Sequence, residues 1–163
     1  VEASPAINHP IEVAAILAND AEVTDPVTLV AAVLHETLED TTTTPEELET
    51  AFSSTIRDLV QELTDDKRLP KPERKARQVA GAPHLSARAK LIRIADKIAN
   101  VRDVTHHPPA HWDLARRQEY LAWTEQVVAG CRGANPRLDA TYDHVLREGH
   151  AMLDFRQRHG LDG

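Results

Sequence analysis

Apolar residues recur at the spacing of an α-helix along nearly the whole chain. The clearest segment runs from Ser86 to Asp103, where isoleucine, leucine, valine and alanine occupy much of the helix circumference. The one Asp-Gly pair is the last two residues, so no hairpin dipeptide joins two alternating runs. We therefore predict an all-α fold, with about eight or more helices around one core and the segment over 86–103 at its centre.

Turn and capping residues divide the chain into these helices. Proline in a first turn, with Ser, Thr or Asp just before it, is a typical helix start. Helices are predicted to open at His9-Pro10 and after Thr24-Asp25, and to cover 45–51, 55–64, 73–80, 86–103, 114–131 and 136–158, with Thr44 and Ser86 as caps. Residues 68–72 are predicted to form a loop, since two prolines at this spacing cannot both lie inside a helix.

Size and composition favour a small intracellular protein. A chain of 163 residues suits one domain with a sizeable core, so residues 1–163 are interpreted as a single domain. The single cysteine, Cys131, excludes an internal disulfide and favours a reducing compartment. No apolar run approaches the roughly 20 residues that span a bilayer. These features predict a cytoplasmic protein without a membrane partner.

Charge is distributed unevenly along the chain. Residues 67–102 contain eleven Lys and Arg against two acids, whereas the remainder contains eight against twenty-four. An acidic protein with one basic segment suits a small polyanion bound at a local site. A long nucleic-acid footprint requires a broad basic face, so no nucleic-acid partner is predicted.

Residues 35–40 place an imidazole and three carboxylates directly after an apolar run. On a continuous helix, His35, Glu36, Glu39 and Asp40 would fall within an arc of roughly 140°. Clustered carboxylates repel one another, and a divalent cation among them relieves that repulsion. This pattern suggests a metal site. The local pattern equally allows a helix C-terminal turn whose carboxylates lie in water.

A second acid lies within the central apolar segment. Asp96 occupies a position that the helical pattern buries, with Asn100 four residues later on the same face. A buried carboxylate needs a partner, which is either a nearby base such as Lys97 or Arg93, or a metal ion shared with His35 and Glu36. His9, at the mouth of the first helix, is by itself an ordinary capping or core histidine.

Several short motifs in order carry a family resemblance. They are Ile7-Asn8-His9-Pro10, His35-Glu36-Thr37-Leu38-Glu39-Asp40-Thr41, Leu63-Thr64-Asp65-Asp66-Lys67, Leu69-Pro70-Lys71, Ala82-Pro83-His84, Ala95-Asp96-Lys97-Ile98-Ala99-Asn100 and Arg116-Arg117-Gln118-Glu119-Tyr120. Together they resemble the hydrolase domain of the RelA/SpoT alarmone enzymes, a branch of the HD-domain metal-dependent phosphohydrolases. The stand-alone small alarmone hydrolases, which include the metazoan SpoT homologue, are the most similar group.

The resemblance implies a function and a role for each matching residue. It implies Mn²⁺-dependent removal of the 3′-pyrophosphate from (p)ppGpp, giving GDP or GTP and pyrophosphate. The implied metal ligands are His9, His35, Glu36 and Asp96. The pair that orients and deprotonates the attacking water is Glu39 and Asp40. The implied contacts to the guanine nucleotide are Lys71, Asn100, Arg116 and Tyr120.

Two positions depart from the family pattern. The family ligand at position 36 is Asp, and Glu36 is one methylene longer, which predicts an adjusted or weakened site. We expect Glu36 still to bind the metal. The family also has a basic segment before the His-Pro motif and a Tyr where Ala6 stands, whereas this sequence begins at Val1. We therefore expect part of the N-terminal pocket of the family domain to be missing from the sequence.

Three alternatives to alarmone hydrolysis remain open. The first is another HD-type phosphohydrolase activity, on a nucleoside monophosphate or on the 2′-phosphate of NADPH. The second is a binding protein that holds a guanine nucleotide but turns it over poorly because Glu36 alters the metal site. The third is an interaction module without a small ligand. Metal content and a turnover assay distinguish these alternatives.

Overall fold

The computed structural model describes residues 7–161 and confirms the all-α prediction for them. Ala6 and the residues before it lie outside the described part. The helices are α1 (Asn8–Ala15, continued by a π-helical turn over Ile16–Asp20), α2 (Pro26–Leu34), α3 (Thr37–Asp40), α4 (Pro45–Ala51), α5 (Ser54–Glu62), α6 (Lys71–Gly81, continued by a 3₁₀ turn over Ala82–His84), α7 (Ala87–His106), α8 (Leu114–Ala129) and α9 (Pro136–Arg158). None of the described helices combines the length and hydropathy needed to cross a membrane.

Helix starts follow the capping rules. The Asp25 carboxylate accepts a hydrogen bond from the Val27 amide at the start of α2, and the Ser86 hydroxyl accepts one from the Ala89 amide at the start of α7. Thr44 caps α4 in the same way. These side chains satisfy amide groups that have no partner within the helix. The predicted caps Thr44 and Ser86 are therefore confirmed, and Asp25 caps the helix predicted to open after Thr24-Asp25.

Helix α7 lies at the centre of the fold, as predicted. Its residues from Ile92 to Ala99 are all buried, and it packs against α1, α2, α5, α8 and α9. Gly149 of α9 allows one of these close approaches. A Cβ atom at this position would lie 2.8 Å from Thr105 Oγ1 and 3.0 Å from Leu121 Cδ2. The glycine therefore lets α9 pack directly onto α7 and α8.

The prediction of a loop over residues 68–72 is wrong for its last two residues. Lys71 and Pro72 form the first turn of α6, and Pro70 precedes it. A proline in a first turn has no amide hydrogen to lose, because that amide would have no helical partner. The argument from two prolines holds only for a helix interior. Lys71 is therefore presented by a helix N-terminus rather than by a loop.

The stretch from His35 to Asp40 is not one continuous helix. Helix α2 ends at Leu34, His35 and Glu36 form a turn, and α3 begins at Thr37. The Thr37 hydroxyl donates to the Leu34 carbonyl over 2.7 Å, and His35 Nδ1 donates to the Ala32 carbonyl over 2.5 Å. These side-chain bonds replace the amide partners that would continue α2. The arc expected for a continuous helix is therefore wrong.

Candidate active site

Four side chains from three separate segments meet at one point. His9 comes from α1, His35 and Glu36 from the turn after α2, and Asp96 from α7. One potential ligand atom from each lies within 4.8 Å of the others. Asp96 Oδ1 is 2.7 Å from His9 Nε2 and 3.4 Å from His35 Nε2. The structure thus brings together the four predicted ligands.

The donor set suits a divalent cation. The hydrogen bond from His35 Nδ1 to the Ala32 carbonyl directs His35 Nε2 towards Asp96, and the side chain is 4% exposed. A backbone carbonyl only accepts hydrogen bonds, so this contact selects the tautomer with a free Nε2 lone pair. Two imidazole nitrogens with two carboxylates are suitable ligands for a first-row metal ion. The residues present therefore fit the metal that the resemblance implies.

Without a cation, protons compensate the negative charge of the site. Burial lowers the pKa of His9, but the hydrogen bond and charge of Asp96 outweigh it and raise the pKa to about 9. The pKa of His35 is also raised, because Asp96 again outweighs burial. Burial raises the pKa of Asp96, yet Lys97 and the two histidines hold it well below its usual range. A bound cation would have to displace these protons.

Glu36 reaches the same point despite its longer side chain. Its Oε1 lies 3.6 Å from His9 Nε2 and 3.8 Å from His35 Nε2. Burial raises the pKa of the Glu36 carboxyl group, with the two histidines opposing the rise. The extra methylene therefore does not carry the carboxylate away from the cluster.

Asp96 uses its two oxygens for different partners. Oδ1 faces the histidines, whereas Oδ2 accepts from Lys97 Nζ over 3.1 Å and from Asn100 Nδ2 over 3.4 Å. Of the two partners proposed from the sequence, the nearby base is present as Lys97, and the shared metal ion stays a prediction. Lys97 is 2% exposed, and its Nζ lies 4.3 Å from the ring centroid of Trp123.

Glu39 and Asp40 lie on different sides of α3. Glu39 lines the cleft beside the cluster and accepts from the Asp65 amide over 2.5 Å. Burial raises the pKa of its carboxyl group. Asp40 is half exposed, forms an ion pair with Lys67 at 2.7 Å, and does not line the cleft. Only one of the two predicted acids is therefore placed to meet a substrate.

A cleft of about 560 Å³ extends from the cluster. All four residues predicted to contact the nucleotide line it: Lys71, Asn100, Arg116 and Tyr120. Their roles in binding the nucleotide remain predictions. Lys71 comes from the first turn of α6, and Arg116 and Tyr120 come from α8. The cleft thus combines cationic side chains with an aromatic ring.

One wall of the cleft carries aromatic residues that the sequence analysis missed. The ring centroid of Tyr120 is 5.4 Å from that of Trp112 and 5.4 Å from that of Trp123. Arg116 lies over the Trp112 ring at 4.3 Å, and Lys75 Nζ lies 5.1 Å from the centroid of Trp123. The usable signal was that Trp123 follows Tyr120 by three residues on one helix face. Such a surface suits a flat base attached to phosphates.

A second group of potential ligands adjoins His9. Glu12 and Asp103 each bring an oxygen within 4.8 Å of a His9 ring nitrogen. Burial, together with the charge of Asp103, raises the pKa of Glu12. The sequence signal was the spacing of three residues between His9 and Glu12 on α1. These acids add negative charge beside the one ligand that comes from α1.

Comparisons with known proteins agree with this geometry. A family model described as an HD domain matches residues 2–123. Human guanosine-3′,5′-bis(diphosphate) 3′-pyrophosphohydrolase MESH1 is 50% identical over 147 residues, covering 90% of this chain and 82% of the relative. The Drosophila melanogaster protein of the same name is 42% identical over 145 residues, covering 89% and 81%. These relatives match the chain over most of its length.

Solved structures give the same result. A structure described as a metazoan ortholog of SpoT that hydrolyses ppGpp superposes with a TM-score of 0.85 at 42% identity, covering 88% of this chain and 81% of the other. A Listeria monocytogenes protein superposes with a TM-score of 0.71 at 23% identity, covering 91% and 99%, and supports the fold alone. The chain therefore belongs to the HD-domain hydrolases, in the RelA/SpoT-type branch that contains the metazoan SpoT homologues.

Proposed function

We propose that this protein hydrolyses (p)ppGpp to GDP or GTP and pyrophosphate, with Mn²⁺ as its metal. The observation that supports the proposal best is the convergence of His9, His35, Glu36 and Asp96 at the end of a cationic, aromatic cleft. The names of the similar proteins supply the substrate. Mn²⁺ accepts a mixture of imidazole and carboxylate ligands and retains open positions for water, which supports this choice of metal.

The four converging residues would hold the cation. When bound, it would supply Lewis-acid chemistry, which polarises a phosphoryl oxygen and makes water more acidic. Asp96 is suited to this role because its Oδ1 already faces both histidines while Oδ2 is fixed by Lys97 and Asn100. A carboxylate fixed in this way loses little conformational freedom when the cation binds.

Glu39 acts as the general base in this proposal. It lines the cleft, and the Asp65 amide fixes one of its oxygens. Because burial raises the pKa of its carboxyl group, it is a stronger base than an exposed glutamate. Asp40 is a positioning residue that holds Lys67 through its ion pair at the end of α3. In this proposal, only Glu39 takes the proton, and Asp40 acts through Lys67.

The reaction transfers a pyrophosphoryl group to water. The water oxygen bonds to the phosphorus nearest the ribose, and the bond from that phosphorus to the 3′-oxygen breaks. Glu39 takes one proton of the water, and the 3′-oxygen takes up a proton from solvent and stays on the ribose as a hydroxyl group. Lys71 and Arg116, which both line the cleft, neutralise phosphate charge. Tyr120 packs against the base or ribose.

A turnover assay tests the proposal. Metal-free protein is incubated with ppGpp and with Mn²⁺, Mg²⁺ or no metal, and products are separated by ion-exchange chromatography. We expect equal amounts of GDP and pyrophosphate with Mn²⁺, and neither product from His35→Ala. NADPH and nucleoside monophosphates serve as competing substrates. Absence of GDP from ppGpp under every metal condition, with a folded and metal-loaded protein, would contradict the proposal.

A further inference from the structure

Arg93 is a buried charge without a partner in the described part of the chain. Its side chain on α7 is 7% exposed. Between Ile7 and Leu161 its guanidinium group forms no ion pair within 4.0 Å, although its charge acts on the Glu39 carboxyl group. Its nitrogens are not among the fully enclosed atoms that lack a hydrogen-bond partner, so they open onto the adjoining cavities. The guanidinium group is therefore accessible to an anion that enters from the cleft.

The Arg93 side chain faces two adjacent cavities. It lines the main cleft and also a smaller cavity of about 200 Å³. Both cavities share Asp65, Arg74, Gln78 and Arg93 as lining residues. Arg93 also lies one helical turn before Asp96 on α7, so its guanidinium is close to the predicted metal site. The smaller cavity therefore adjoins the cleft and shares part of its wall.

A second guanidinium on α6 shares this cavity. Arg74 Nε is buried and has no hydrogen-bond partner among the described residues. Gln78, one turn later, donates from Nε2 to Asp65 Oδ2 over 2.7 Å, while its buried Oε1 is also without a partner. That oxygen can accept from a water molecule or from a phosphate hydroxyl group. Two unpaired guanidinium groups from different helices thus converge on one space.

The carboxylates around this space are bound elsewhere. Glu62 accepts from the amide and the hydroxyl of Ser86, and Asp66 pairs with Arg68 at 2.9 Å. Asp65 is the acceptor for Gln78. These three acids are held by other partners, and none of them forms an ion pair with Arg74 or Arg93 within 4.0 Å.

We propose that Arg93 and Arg74 form an anion subsite that binds the outer phosphoryl group of the substrate's 3′-pyrophosphate. This inference rests on the proposed function, because that function supplies the pyrophosphate. The inner phosphoryl group lies at the predicted metal cluster beside Glu39, and the outer group extends into the smaller cavity. The subsite thereby distinguishes a 3′-pyrophosphate from a 3′-monophosphate, which has no outer group. Planar guanidinium groups suit this contact, because each can donate two parallel hydrogen bonds to phosphate oxygens.

Binding of inorganic pyrophosphate tests the subsite without requiring turnover. Calorimetry compares pyrophosphate with orthophosphate at one fixed Mn²⁺ concentration, for the parent protein and for Arg93→Met. We expect Arg93→Met to weaken pyrophosphate binding by roughly 10-fold or more, since a charge-assisted hydrogen bond is lost. Orthophosphate, which can remain at the metal cluster, should change by less than about 3-fold. Equal weakening of both anions, or unchanged pyrophosphate binding, would overturn the proposal.

Arg88→Met is the matched control. It removes the same charge from the same helix, where Arg88 pairs with Asp25 at 2.7 Å outside the cleft. We expect its pyrophosphate affinity to equal that of the parent. Arg74→Gln provides a second variant at a less buried position, so that the test does not depend on the folding of Arg93→Met. It should weaken pyrophosphate binding selectively in the same way.

Kinetics separate this inference from the proposed function. Parent and Arg93→Met proteins are assayed with ppGpp and with the analogue that has a single 3′-phosphate. We expect the ratio of kcat/KM values to shift by about 10-fold against ppGpp in the variant. If the parent hydrolyses neither compound, the proposed function fails, and the pyrophosphate calorimetry still decides the subsite. If the parent hydrolyses ppGpp but the ratio of kcat/KM values is unchanged in Arg93→Met, the subsite proposal is wrong and the proposed function stands.

Discussion

Two buried arginines, one beside each half of α7, differ in their hydrogen bonding. Near its C-terminal end, Arg117 from α8 is 1% exposed and donates to the carbonyls of Val104 and Thr105, each over 3.0 Å. In the N-terminal half, Arg93 is almost as buried and has no partner among the described residues. The first arginine satisfies the open carbonyls of a helix end. The comparison teaches that equal burial of one residue type serves stability at one end of α7 and ligand binding at the other.

The cluster around Asp96 provides the strongest test of this comparison. We expect Asp96→Asn to lower kcat/KM for ppGpp by about three orders of magnitude, because Lewis-acid stabilisation contributes several kcal/mol. The variant also leaves Lys97 buried without its anion. Steady-state kinetics and bound Mn²⁺ are measured together. Metal content and turnover that both equal the parent values would show that Asp96 is not a ligand.

A double variant separates function from stability at this position. Asp96→Asn with Lys97→Met removes both charges, so the stability lost in the single variant should return. Metal binding should not return. Thermal unfolding and metal content of the same samples distinguish the two effects. Recovery of Mn²⁺ binding in the double variant would contradict the division of α7 into two halves.

Mutation of the arginine at the C-terminal half of α7 should lower stability and leave activity almost unchanged. We expect Arg117→Met to reduce the free energy of unfolding by about 2–3 kcal/mol, because two carbonyls at the end of α7 lose a charged donor. For a domain of this size the expected fall in Tm is roughly 4–12 °C. Differential scanning calorimetry measures it. Below the transition, kcat/KM should stay within about 2-fold, and a larger loss would break the comparison.

Metal binding should strengthen as pH rises. The folded, metal-free protein holds a proton on His9, whose pKa is raised to about 9. This raised pKa contributes stability that is fully present below about pH 6.5 and is lost as pH rises through about 9. Displacing that proton weakens metal binding by about 10-fold for each pH unit below 9. Calorimetry in buffers of different ionisation enthalpy counts the released proton, and a pH-independent affinity would contradict this account.

The smallest expected effect concerns Glu36. Replacing it by Asp shortens a carboxylate that already faces both histidines, so Mn²⁺-dependent turnover should stay equal or rise by a few-fold. Glu36→Ala is the matched control and should lower metal affinity and turnover together by roughly 10-fold or more. Both are measured beside the parent. If Glu36→Ala binds Mn²⁺ and turns over ppGpp like the parent, Glu36 is not a ligand.

The sequence predicted helices better than it predicted the positions of side chains. Helical spacing and the caps at Asp25 and Ser86 are local signals, and the structure follows them. The break after Leu34 was missed, because it depends on hydrogen bonds from His35 and Thr37 to carbonyls that a periodicity argument does not consider. That break separates His35 and Glu36, which lie in the turn, from Glu39 and Asp40, which lie on α3.

The site was predictable only in part, because it depends on contacts between residues that are distant in the sequence. No local pattern brings His9 to Asp96, which is 87 residues away, and only the ordered motifs of the resemblance did so. Arg93 was considered as a partner of Asp96, yet Lys97 takes that place. A missing partner is a property of the packed structure, so the sequence could not indicate that Arg93 is unpaired.

The anchoring of α8 has a consequence for how the enzyme admits its substrate. The side chains of the adjacent residues Arg116 and Arg117 point in different directions. Arg116 lies over the Trp112 ring in the cleft, whereas Arg117 donates hydrogen bonds to carbonyls at the end of α7. The second contact helps to hold the helix that carries Tyr120, and Tyr120 also packs against Trp112 and Trp123 without it. The aromatic wall is therefore pre-organised, and a nucleotide would lose little affinity to ordering it. A wall held in this way favours recognition by complementarity of shape over induced fit.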